Sequence, residues 1–248
     1  MATRRPAKRP RKPSRRAGEA KRETTRRTLL ERALELFQKR GVEATTMRDI
    51  AGAAGLSLGA AYYYFPSKEA LVFAYYEENQ LEVEELARQA ATTGTLRTRL
   101  GAIFHAKLAS IRPQRAMLAS IIPHLVNPVD PLSAFSVQTG GVRARAIAMY
   151  AEALAELPPA SIPVVTNALW LLQLACMLVY IHDDSPHEAR THGLVDDGLD
   201  LLVPLLPLLG MPMGLALCER VTAALDRAGI GLAGIGLTGI GLTGTRLA

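Results

Sequence analysis

Two capping residues and two helix stops fall within the twenty-four positions 45–68 (TTMRDIAGAAGLSLGAAYYYFPSK), leaving room only for two short helices. Thr46 precedes Met47-Arg48-Asp49, a T-x-x-D arrangement in which hydroxyl and carboxylate each satisfy a free backbone N–H. The helix that starts there runs through Ile50 to Ala54 and ends at Gly55. Ser57 caps the next helix, 58–64, which Phe65-Pro66 closes because a residue before proline is pushed out of the α region. Upstream, Leu30, Ala33, Leu34 and Phe37 recur at i, i+3, i+4 and i+7, one face of a helix that begins near Lys21 and stops at Gly41. Downstream, Ser67 opens a much longer helix through Leu71, Val72, Tyr75 and Leu81 to about position 91. Ile50, Leu56 and Ala61 are the apolar positions that face the preceding helix. Ala51, Ala53 and Ala54 are small enough to let the two short helices approach closely.

The rest of the chain keeps the helical period. At 248 residues, 49% of them apolar, there is material for one large domain or two small ones. No run alternates apolar and polar residues, so the fold class is all-α. From 96 to 157 the pattern is punctuated by Pro113, Pro123, Pro128, Pro131 and Gly140-Gly141, which predicts several medium helices. Pro158-Pro159 is a break, and a nearly all-apolar helix follows from about Ile162 to His182, buried on more than one side. Asp183-Asp184 end it, and Ser185-Pro186-His187-Glu188 predicts a capping box with proline at the first position of a helix reaching about Val203. The most apolar stretch, 168–181, is shorter than the roughly 20 residues that span a bilayer, and it contains Gln173. With no apolar run behind the basic N-terminus and no paired Cys pattern at Cys176 and Cys218, a soluble cytoplasmic protein with no membrane partner is expected. Three copies of a Gly-Ile-Gly-Leu unit fill the tail, 229–248, too rich in glycine for a stable helix.

Charge is distributed unevenly. Residues 1–28 hold twelve Lys and Arg against Glu19 and Glu23, a balance of +10 within a total of +6, so the other 220 residues carry −4. Residues 1–20, with three prolines and almost nothing to bury, are expected to be a disordered arm suited to a polyanion, either nucleic acid or an anionic membrane surface. Helix, tight turn at Gly55-Leu56 and second helix form a helix-turn-helix, whose second helix fits the major groove of a duplex. Four consecutive aromatics, Tyr62 to Phe65, cover the whole circumference of a helix, so at least one faces outward.

The run GLSLGAAYYYFPSKEAL, 55–71, resembles the signature of the TetR family of bacterial transcription regulators, and the helix before Gly41-Val42 and Thr46-x-x-Asp-Ile-Ala match that family's first two helices. The likeness is strong over about residues 24–75. It implies a three-helix DNA-binding domain over 21–68 and a larger helical effector-binding and dimerisation domain over 69–228. Position by position, it implies that Thr46 bonds a phosphate, Arg48 reaches a base, Tyr62 touches the backbone and Lys68 binds phosphate. Ser57, Leu58, Ala60, Tyr63 and Tyr64 then form the recognition face. Leu58 and Ala60 stand where many members carry polar residues, which shifts base reading toward Arg48, Tyr63, thymine methyls and DNA shape.

The resemblance also implies a small-molecule site among the later helices. Phe104, His105, Met117, Ile121, His124, Met149, Tyr150, Leu174 and Met177 are its candidate lining, against the plainer reading that they fill the core. Trp170, Leu174 and Leu178, with Ile181, Leu194, Leu199 and Leu202, offer two apolar segments per subunit for a homodimer interface, which sets two reading heads on one pseudo-palindromic duplex. His182, His187 and His192 lie about 140° apart in turn on a helix, so no metal site is expected. No cofactor-binding or catalytic motif stands out, so an enzyme is not expected. The expectation is a ligand-responsive, sequence-specific DNA-binding regulator acting as a repressor. The rivals are an architectural DNA-binding protein and an apolar-ligand protein with an incidental arm.

Overall fold

The computed structural model describes residues 15–90, 94–125, 127 and 130–227. Among these there is no strand. The helices run α1 (Arg15–Arg40), α2 (Met47–Ala53), α3 (Leu58–Tyr64), α4 (Lys68–Ala90), α5 (Leu96–Ile111), α6 (Arg115–Leu125), α7 (Gly140–Ala153), α8 (Ile162–His182), α9 (Ala189–Leu202) and α10 (Pro212–Arg227). Short 3-10 segments occupy Arg112–Gln114, Pro186–Glu188 and Val203–Gly210.

The N-terminal domain closes through local rules. Thr46 and Asp49 form the reciprocal cap at the head of α2, and the Ser57 hydroxyl accepts from the Ala60 N–H at the head of α3. Gly41 and Gly55 end the preceding helices at φ +81° and +67°, a backbone region costly to residues with a Cβ. Leu30, Ala33 and Phe37 of α1 meet Met47, Ile50 and Ala51 of α2 and Ala61 of α3, all buried. Leu56, expected with Ile50 and Ala61, is half-buried, and Ala53 is exposed.

Helix α1 begins at Arg15, earlier than the expected start near Lys21, so residues 15–20 are helical rather than part of a disordered arm. The fixed segment from Leu29 to Phe37 supplies the nucleus, and extension by a few residues then costs little. The remaining arm, 1–14, and the Gly-Ile-Gly-Leu tail lie outside the described residues.

Helix α4 leaves the N-terminal domain with Leu71 and Val72 buried and enters the larger bundle with Val83 and Ala87 buried, packing chiefly on α5. Helix α1 also lies on α6, where the Gln38 side-chain amide donates to the Pro113 carbonyl and, at 2.9 Å, to Gln114 Oε1. Helix α8 has the length and apolarity to cross a bilayer, yet it sits inside the bundle against α6, α7 and α9 and buries Asn167 and Gln173 among its apolar residues.

Two sequence expectations give way. Pro123 does not break the chain into separate helices; α6 passes through it and ends two residues later, where few helical hydrogen bonds remain to be lost. Nor does Ser185-Pro186-His187-Glu188 form a capping box. His187 and Glu188 take left-handed backbone (φ 55° and 53°), and Glu188 pairs with Arg112 and Arg115 instead. The turn is organised by buried Asp183, whose carboxylate accepts from the backbone N–H and hydroxyl of both Ser185 and Thr191, at 2.6–2.9 Å.

Candidate functional site

The outer surface of the N-terminal domain is formed by α3 and the heads of α2 and α4. Only Ala61 of α3 is buried. Tyr62 and Tyr63 are 48% and 69% exposed, and Tyr64, half-buried, holds the Tyr63 ring edge-on at 5.2 Å between centroids. Ser57 is exposed, while Leu58 and Ala60 are half-buried. Arg48, on α2, is exposed. The Tyr62 and Tyr63 rings are thus presented to solvent on a helix that is itself fixed by its cap, by Ala61 beneath it and by Phe65 behind it.

Thr46 and Lys68 each do structural work in addition. The Thr46 hydroxyl accepts from the Asp49 N–H and donates to Asp49 Oδ2 at 2.7 Å; this last bond and one from the Thr46 N–H at 3.0 Å hold the Asp49 carboxyl below its usual range. Arg40 lies 3.0 Å from the same carboxylate and offsets its charge. The Lys68 ammonium, at the start of α4, donates to the carbonyls of Val42 and Glu43 at 3.1 and 3.3 Å, tying α4 to the turn before α2. The Glu43 carboxylate lies 3.6 Å from the same ammonium.

The nine candidate ligand-lining residues divide. Leu174 and Met177 border a cavity of about 100 Å³ lined by α4, α5, α6, α7 and α8 and partly open to solvent. Phe104, Met117, Ile121 and Tyr150 are packed solid, with at most 1% exposed, and the Phe104 and Tyr150 rings lie 5.8 Å apart. Met149 edges a wider cleft of about 450 Å³ between α4, α5 and α7, whose rim is crossed by the Arg145–Glu84 ion pair. His105 bonds His192 at 2.9 Å and Asp196 at 3.0 Å between α5 and α9, and His124 bonds Asp130 at 2.7 Å. Neither histidine borders the small cavity. Sequence reasoning missed Lys107, Arg143, Tyr76 and Gln173 in its wall, since each is a single polar residue on a helix whose inward face only packing defines.

The proposed interface residues divide too. Trp170, Ile181 and Leu199 are closed within the chain (4%, 6% and 1% exposed), and Trp170 lines the small cavity with Phe135 edge-on at 5.6 Å. Their placement at a subunit contact is corrected: α8 is apolar on every side, so its period cannot say which stripe faces out. The outward stripe carries Leu171 and Val179, with Leu178 half-exposed beside them. Leu194 and Leu201 of α9 are exposed and Leu202 half-exposed, and Leu205 and Leu208 extend the apolar surface past the end of α9. Among the described residues no His, Cys, Asp and Glu cluster is arranged to hold a metal.

Residues 29–75 match the family described as bacterial regulatory proteins, tetR family. The chain is 56% identical over 48 residues to the HTH-type transcriptional repressor KstR2 of Rhodococcus jostii, covering 19% of this chain and 24% of that protein. It is 35% identical over 97 residues to the HTH-type transcriptional regulator TtgR of Pseudomonas putida, covering 37% and 46%. The chain thus spans between a quarter and a half of the length of these curated relatives. The fold is similar to that of a TetR transcriptional regulator from Nitrosomonas europaea (TM-score 0.60, 18% identity, covering 72% of this chain and 97% of that one). It is also similar to that of FadR from Bacillus subtilis, solved in complex with stearoyl-CoA (TM-score 0.57, 16% identity, covering 71% and 96%). The N-terminal helix-turn-helix thus matches the tetR family of bacterial regulatory proteins over residues 29–75, and the helices behind it share the fold of the Nitrosomonas europaea regulator.

Proposed function

We propose that this chain is a homodimeric transcription regulator of bacterial cytoplasm that reads a pseudo-palindromic duplex through α3 and is released from it by a small apolar-bodied ligand in the bundle. The observation that carries the reading is the outward presentation of Tyr62 and Tyr63 on a rigid, capped helix. Tyr62 and the Lys68 ammonium, which exchanges its pairing with Glu43 for a phosphate, meet the phosphate backbone. Arg48 and Tyr63 reach base edges, with Ser57, Leu58, Ala60 and Tyr64 completing the face. The Thr46 hydroxyl, at a helix N-terminus, exchanges its bond to Asp49 for a phosphate oxygen. Exposed cations along α1, Lys21, Arg22 and Arg27, continue the basic surface toward the arm.

Two heads must be fixed at one separation to read two half-sites, and the exposed apolar stripe of α8 and α9 is the surface that pairs them. Leu171, Leu178, Val179, Leu194 and Leu202 supply the contact. Helix α4 joins head to bundle, so a ligand that spreads the walls of the α4–α8 cavity changes the separation of the heads. The relatives named as repressors match this chain in the head, and repression is the mode proposed here.

Selection of bound sequences from a random duplex pool tests the proposal. The expected product is a two-fold symmetric site with half-sites about 10 base pairs apart, centre to centre, or a multiple of that. Retention of all sequences alike would instead mark a non-specific DNA-binding protein, and retention of none would remove DNA from the account.

A further inference from the structure

The wall of the small cavity has an unbalanced polar chemistry. It carries two cationic side chains, Lys107 from α5 and Arg143 from α7, and none of its thirteen residues is acidic. Arg143 is only 8% exposed; its guanidinium donates to the carbonyls of Ala134 and Ser136, and its Nε has no partner. The Lys107 ammonium donates to Asn79 Oδ1 at 2.5 Å, and Asn79 is left with an unbonded N–H2 group. Tyr76 and Gln173, both in the wall, also hold buried groups without partners, the phenol hydroxyl and the amide nitrogen. The unpartnered atoms of Tyr76, Asn79, Arg143 and Gln173 all carry hydrogen to donate. Buried donors left unbonded are costly, and buried charges more so, unless an acceptor enters.

Burial has already acted on these groups. Loss of hydration pushes the Lys107 ammonium down to about 8, against a smaller opposing pull from Glu82, and lowers the Arg143 guanidinium as well. The same wall also carries apolar groups, the Trp170 indole, Leu174, Met177 and Ala146. The space is narrower than the roughly 150 Å³ that holds a benzene ring in an engineered apolar cavity, so the body of an occupant is short or slender.

We infer that the effector of this regulator is a small organic carboxylate, its head received by Lys107 and the donors of Arg143 and Gln173, its short apolar body lying against Trp170, Leu174 and Met177. This deepens the ligand-responsive reading above and rests on it for its biological meaning, though the binding itself is measurable without DNA. A carboxylate supplies lone pairs enough for the surplus donors and one negative charge for the desolvated cations.

Trp170 is the only tryptophan of the chain, so its fluorescence reports on the cavity directly. The full chain is titrated with butyrate, hexanoate and phenylacetate, with hexanamide and phenylacetamide as uncharged counterparts and inorganic phosphate as a head without a body. At least one carboxylate is expected to give a saturable change and to bind about tenfold or more tighter than its amide. Phosphate is expected to give none. Lys107→Met, which keeps the length of the side chain, should abolish that preference while leaving the unfolding temperature at or above that of the parent chain. Gln173→Leu should weaken the carboxylate with the Lys107 preference intact. Equal affinity for acid and amide, an unchanged preference in Lys107→Met, or no response to any carboxylate would overturn the inference. Duplex binding measured on the same preparation separates the two claims. Carboxylate binding without any DNA binding would leave this site standing and remove the regulator, and DNA binding with no carboxylate response would do the reverse.

Discussion

The head and the bundle place their functional groups in opposite ways. In the head, α3 buries one residue and turns Tyr62 and Tyr63 to solvent, and its stability comes from its cap and from its packing on α2, which rests on α1 in turn. In the bundle the polar groups of interest, Lys107, Arg143 and Gln173, are turned toward the cavity; Arg143 and Gln173 are buried and each holds a donor without a partner. A surface that meets a duplex needs side chains already exposed and a helix already rigid, because the partner brings its own charge. An interior site instead stores an imbalance that a small occupant corrects. The difference teaches where mutation separates function from folding: outer positions of α3 can change with little effect on stability, and the packed apolar positions of the bundle cannot.

The largest expected break in this comparison comes from Phe104→Ala. The ring is 1% exposed and packs on Tyr150, so its loss should destabilise the protein by about 3–5 kcal/mol. Chemical denaturation measures this, and duplex affinity measured at low temperature, where the variant is still folded, should remain close to the parent value. A smaller effect is expected at the α8–α9 turn. The Asp183 carboxyl is held well below the usual range, first by hydrogen bonds from the side chains of Ser185 and Thr191. A carboxylate depressed in the folded state contributes stability that is complete above its unfolded value near 4 and is lost as pH falls through the folded value. Asp183→Asn should therefore lower the melting temperature at pH 7 by several degrees and flatten the loss of stability on acidification. A parallel shift of the acid limb in parent and variant would assign that limb to other carboxylates.

Legibility followed the same division. The head was readable because its signals are local. Thr46 and Ser57 act on N–H groups three residues away, and Gly41 and Gly55 act on their own backbone. The limits of α8, Ile162 and His182, were equally plain between Pro158-Pro159 and Asp183-Asp184. Its orientation was not. An apolar sequence on every face gives no phase, and Trp170 went to a proposed interface although it lines the cavity. Lys107 and Arg143 resemble ordinary solvent-facing cations in the sequence; only the meeting of α4, α5, α7 and α8 takes their water away. The α8–α9 turn misled for a further reason. Its S-P-H-E pattern fits a capping box, but Asp183 just upstream competes for the Ser185 N–H and wins it.

The central claim is that α3 meets the duplex through its exposed tyrosines, and affinity for the selected duplex, set beside thermal stability, tests it most directly. Tyr62→Ala and Tyr63→Ala should each weaken binding about tenfold or more while leaving the melting temperature within about a degree or two of the parent. Undiminished duplex affinity in the double variant, with its fold intact, would contradict the account.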